Sequence, residues 1–114
     1  MKQVNERISV KELNKMAEAM YGNLVKAVVD IQKGTLVVDA EMHADEEQIL
    51  LEAGSKQNDL WGINLYPSKF GTAEFIEFDS MINIRPRQQN MSRYVEDETI
   101  RQRIKNLVNQ KVII

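Results

Sequence analysis

A chain of 114 residues, 43% hydrophobic and 28% charged, has the size and make-up of one domain, residues 1–114, with a single core and no need of covalent staples. It contains no cysteine, which removes disulfides, thiolate nucleophiles and cysteine-based zinc sites. A net charge of −2 weighs against a non-specific nucleic-acid binder, which needs a basic surface.

No run approaches the roughly 18 consecutive apolar residues of a membrane span. The first eight residues lack the apolar heart of a signal peptide. Both observations point to a cytoplasmic protein with no membrane partner. Residues 1–8 read as an extended lead-in. Ser9-Val-Lys-Glu12 is a capping-box pattern, in which the Ser9 hydroxyl accepts from the backbone two or three residues on and Glu12 reaches back. Val10, Leu13, Met16, Ala17 and Met20 follow at three- and four-residue spacing, one stripe of an amphipathic helix that Gly22 is placed to end.

Leu24 to Ile31 and Thr35 to Glu41 are β-rich runs joined across Lys33-Gly34, a hairpin signal. The second run places Leu36, Val38, Ala40 and Met42 on one side and Val37, Asp39, Glu41 and His43 on the other. Asp45-Glu46-Glu47 resembles the acidic first turn of a helix, with Ile49, Leu50 and Ala53 as its apolar side and Gly54 as its stop. Trp61 to Pro67 alternates again, with Trp61, Ile63 and Leu65 facing one way.

The longest alternation runs from Phe75 to Arg85. Ile76, Phe78, Ser80, Ile82 and Ile84 share one parity; Glu77, Asp79, Met81, Asn83 and Arg85 share the other. It reads as a long central strand that pairs with Trp61–Pro67 and ends at Pro86, which cannot donate to a ladder. Asp97 caps a last helix with Ile100, Ile104, Leu107 and Val108 as its stripe, and the tail Val112-Ile-Ile114 is apolar enough to pack. The expected fold is α+β: a mainly antiparallel four-stranded sheet from two hairpins, in the order α-ββ-α-ββ-α, with the helices on one face.

Superposing the parities gathers Lys26, Asp30, Asp39, Glu41, Asn64, Tyr66, Glu77, Asp79, Asn83 and Arg85 on the opposite, polar face. Three readings of that face stand side by side. It is a plain solvated surface, or a shallow ligand site walled by loops 55–60 and 86–93, or a homodimer face with Val28, Val37 and Met81 as its apolar content. Under the second, Glu77, Asp79, His43 and Glu41 are the acid, base or metal groups, Arg85 and Arg93 the anion clamps, and Asn83 and Asn64 the orienting amides. Asp39, Glu41, His43 and Asp45 recur at every second residue, so on an extended backbone they point one way and suit an oxygen-rich divalent-metal site. His43 is the only histidine, which excludes most zinc ligand sets, and a helix-entry residue making local hydrogen bonds is its plainer role.

His43-Ala-Asp-Glu46, Gly54-Ser-Lys-Gln57, Leu60-Trp-Gly-Ile-Asn64 and Glu77-Phe-Asp-Ser-Met-Ile-Asn-Ile-Arg-Pro86, with Asn90, Ser92 and Arg93, are similar to a family of short bacterial and archaeal proteins known only as a domain of unknown function. The resemblance spans nearly the whole chain. It implies a stand-alone domain and no particular activity. The expected function is therefore carried by the polar face alone: a small enzyme or ligand-binding domain for an anionic, phosphorylated or nucleotide-like ligand. The alternatives are a non-catalytic homodimeric or partner-binding module, and a small RNA-binding or RNA-cleaving domain with the 85–93 loop on phosphates.

Overall fold

The computed structural model describes residues 1–114. In chain order the elements are β1 (Lys2–Val4), β2 (Ile8–Ser9), α1 (Val10–Ala19), β3 (Val25–Asp30), β4 (Thr35–Val38), α2 (His43–Glu52), β5 (Leu60–Leu65), β6 (Ile76–Glu77), α3 (Glu98–Lys111) and β7 (Val112–Ile113). The fold is α+β with a mostly antiparallel sheet. No helix is long and apolar enough to cross a membrane.

The sheet has five strands, not four, in the order β1-β4-β3-β5-β6, and all its pairings are antiparallel. The lead-in supplies the extra strand: Lys2, Gln3 and Val4 pair with Val38, Val37 and Leu36. Both expected hairpins share this sheet, joined through β3 and β5 with Val28 opposite Gly62. The centre is therefore β3, not the 75–85 segment. Of the apolar tail only Val112 packs, beside Ile8 in a separate parallel pair, β2 with β7, while Ile113 and Ile114 stay exposed.

Local signals set the helix ends. Ser9 accepts from Glu12 N at 3.0 Å at the start of α1, while the Glu12 carboxylate turns to Lys2 at 2.7 Å and leaves the capping box half made. Asp97 accepts from Thr99 N and Ile100 N to start α3. At Gly54, whose φ is +97°, the chain leaves α2, and Ser55 N closes the turn on Leu50 O.

The helices occupy both faces, which corrects the one-sided arrangement. One face, with Ala27, Val29, Leu36, Val38, Trp61, Ile63 and Leu65, packs on α1 and α3 through Leu13, Ala17, Ile104, Leu107 and Val108. The other carries Val28, Val37 and Leu60 against Leu50 of α2, with Ile82 beside them. The face expected to be wet is thus half covered. Val28 and Val37 are fully buried there and are no part of a dimer surface.

The long strand is corrected as well. Only Ile76 and Glu77 pair with β5, through Leu65 and Asn64. Ser80 then turns the chain: its hydroxyl accepts from Ile82 N at 3.3 Å and opens a single 3-10 turn over Met81–Asn83. The turn moves the apolar parity across the sheet. Ile76 and Phe78 pack on the α1/α3 core, Ile82 on the α2 core. Gly62 makes room for this crossing, because a Cβ built there would lie 2.5 Å from the Ser80 side chain.

Candidate functional site

Five of the eight residues singled out by pattern come together. His43, Asn64, Asp79 and Arg93 line a cleft of about 150 Å³ with Lys26, Ala44 and the exposed side chains of Met42 and Met81. Glu77 stands just outside, on a larger groove of about 650 Å³ that shares Asp79 and also runs along Tyr66, Phe78 and Tyr94.

α2 opens into the smaller cleft. Its first residues line the wall, and Met42 before it offers no side-chain acceptor. The N–H groups of His43 and Ala44 are left without an intramolecular partner, so the positive end of the helix faces the cleft. Lys26 Nζ lies 5.0 Å from the centre of the Tyr21 ring and forms no salt bridge. Arg93 uses Nε on Asp79 at 2.5 Å and keeps both terminal nitrogens free of protein acceptors.

His43 is buried, with Nε2 2.8 Å from Ile63 O. A carbonyl only accepts, so Nε2 carries the proton and Nδ1 keeps its lone pair. Burial lowers the His43 pKa, partly offset by the bond to Ile63, and Lys26 lowers it further. The ring is neutral at pH 7.

Asn64 connects the cleft to the groove. Its Nδ2 donates to Glu77 Oε1 at 2.8 Å and to Asp79 O at 3.3 Å, while its buried Oδ1 has no partner. Glu77 Oε1 also accepts from the Tyr66 hydroxyl at 3.0 Å. Burial, then the bond and charge of Glu77, raise the Tyr66 pKa, so the phenol stays a donor.

The other three residues lie elsewhere. Glu41 is exposed, and its contact is a backbone carbonyl that accepts from Tyr21. Asn83 is fully buried: Oδ1 accepts from Gly62 N at 2.8 Å and Nδ2 donates to Gly62 O at 2.9 Å and Arg93 O at 3.0 Å. Arg85 faces inward over the Trp61 ring at 4.4 Å and donates to Ile82 O at 3.0 Å, Gln57 O at 2.5 Å and Leu60 O. Burial lowers its pKa. Asn83 and Arg85 thus serve the outer edge of β5, where the expected strand would have continued. Loops 55–60 and 86–93 meet, with Gln88 Nε2 donating to Asn58 O at 3.0 Å, and of the two only Arg93 reaches the cleft.

The proposed metal row is also broken up. Asp39 takes a left-handed φ of 69° and α2 starts at His43, so the alternating backbone ends before the row is complete. No three His, Asp or Glu side chains gather closely enough to hold a metal ion.

Comparison with known families matches residues 2–111 to one described as a protein of unknown function, DUF5674. The chain belongs to the DUF5674 family. No curated protein and no solved structure matches it. Membership in DUF5674 brings no activity with it, so the chemistry rests on the cleft itself.

Pattern alone assigns no role to two residues, Lys26 in the cleft and Glu46 outside it. Lys26 is a lone charge inside the apolar run Val25-Lys-Ala-Val-Val29, a placement that calls for a purpose. Glu46 resembled an ordinary acid in a first helical turn, yet it is fully buried. It accepts from Ala40 N at 3.1 Å, and burial pushes its pKa up to about 10.

Proposed function

We propose that the cleft at the start of α2 binds a small anionic ligand through a phosphate or carboxylate group. The observation that supports this reading is the meeting of three unspent sources of positive potential. These are the Lys26 ammonium, the uncapped N–H groups of His43 and Ala44, and the terminal N–H donors of Arg93, which stay open although its charge is shared with Asp79. Helix N-termini favour anions, and Arg presents a fork that matches carboxylate and phosphate oxygens. A volume of about 150 Å³ suits a single anionic group with a few attached atoms. For a ligand that carries an O–H beside its anion, His43 is the base within the site, neutral and holding a lone pair on Nδ1.

The test is an amide-shift titration of the isotope-labelled protein with inorganic phosphate. Shifts should concentrate at His43, Ala44, Asn64 and Arg93. The Lys26→Met variant should bind about tenfold more weakly, the scale of one lost charge-assisted contact. A spectrum unchanged through about 10 mM phosphate, which fills nine-tenths of a 1 mM site, would sink the reading.

A further inference from the structure

We infer that the larger groove beside the cleft takes an organic ammonium cation, with Glu77 as its counter-charge. The charges of the groove favour a cation. Three carboxylates line the groove. Glu74 is paired with Lys69 at 2.9 Å and Asp79 with Arg93 at 2.5 Å, so both are neutralised by the protein. Glu77 has no cation. Its Oε1 accepts from two neutral donors, Asn64 and Tyr66, and its Oε2 takes no protein donor at all. Glu77 is thus the one carboxylate of the groove whose charge no protein cation meets, and two hydrogen bonds fix it in position at the surface, where an incoming cation can reach it.

The rest of the lining agrees with an organic cation over a bare metal ion. Tyr66, Phe78 and Tyr94 form aromatic walls, with the Phe78 and Tyr94 rings edge to face at 6.0 Å. Aromatic faces attract alkylammonium groups through their quadrupole, strengthening as water is excluded. The protein already lays cations of its own on two of these rings, Lys69 over Tyr66 at 5.9 Å and Arg101 over Tyr94 at 4.9 Å. Phe78 carries none. A monocation in the groove would share it with Glu77 and Phe78, and its apolar part with Ile76.

The probe is benzylammonium, with benzyl alcohol as its uncharged counterpart, read by amide shifts. Benzylammonium should move Tyr66, Glu77, Phe78 and Tyr94, and benzyl alcohol should bind about tenfold more weakly. Glu77→Gln keeps an acceptor for Asn64 and Tyr66 while removing the charge, and should weaken the ammonium about tenfold as well. Tyr94→Leu, at a ring 47% exposed, leaves Glu77 untouched and should weaken both probes together. Equal binding of the two probes, or ammonium binding indifferent to Glu77→Gln, overturns the inference, as does the absence of groove shifts. Tyr66 and Phe78 report only the ammonium and His43 and Ala44 only the phosphate, so either reading can fail without the other.

Discussion

At the scale of single residues, two positions hold the crossing of the 78–83 segment over β5. Gly62 is required because Ser80 occupies the space of its Cβ. Gly62→Ala should cost about 1–3 kcal/mol by overpacking, read as a lower urea midpoint, and adding Ser80→Gly should restore much of the loss. Asn83 is required because Gly62 N–H and C=O are buried and have no strand to meet. Asn83→Ala leaves both unpaired and should cost about 2–4 kcal/mol. Neither requirement is visible in a linear reading. Asn83 alternates with Glu77 and Asp79 as a ligand residue would, and only the three-dimensional neighbour Gly62 shows what its amide is for.

At the scale of elements, the helices and the first hairpin were legible because each has both a period and a punctuation mark. α1 has Ser9 and a four-residue stripe; α3 has Asp97 and Ile104, Leu107 and Val108. Asp97→Ala should destabilise the protein by about 1 kcal/mol through the lost cap, again read from denaturant midpoints. The 75–85 segment misled because its alternation survives a single 3-10 turn: a three-residue turn moves Ile82 to the other core without disturbing the apolar–polar rhythm of the letters. The covered second face was hidden for a related reason. α2 buries only His43, Glu46 and Leu50, and two of those three are polar, so its stripe does not look like a core-facing one. The cleft was partly legible, since His43, Asn64, Asp79 and Arg93 were singled out from type and parity. Lys26 was gathered onto the polar face but given no role, because its importance lies in having no acidic partner, which a sequence does not display.

At the scale of the whole molecule, two buried titratable groups on α2 shape stability in opposite senses. Glu46 keeps its proton in the folded state up to about 10, while the unfolded chain releases it near 4.5. Between those values the folded state binds the extra proton, so stability falls as pH rises. His43 is lowered from 6.5. The unfolded chain takes up a proton that the folded ring refuses, so its contribution is full above 6.5 and is lost as pH falls below it. The two slopes oppose each other just below 6.5, and above it Glu46 acts alone. Urea midpoints should therefore decline steadily from neutral to alkaline pH. Glu46→Gln, which preserves the acceptor for Ala40 N, should flatten that decline and leave the variant the more stable protein at pH 9.

The side chains along β5 also bear on how this protein behaves when crowded by its own copies. Beyond its short pairing with β6, β5 would present free backbone groups at Gly62 and Leu60, the template on which a foreign strand could add. Asn83 closes Gly62 and Arg85 closes Leu60 O. Along this part of β5 two side chains thus stand where β6 would have continued. A chain that loses Asn83 should gain a sticky edge as well as lose stability, and should form thioflavin-positive aggregates at concentrations where the parent stays dispersed.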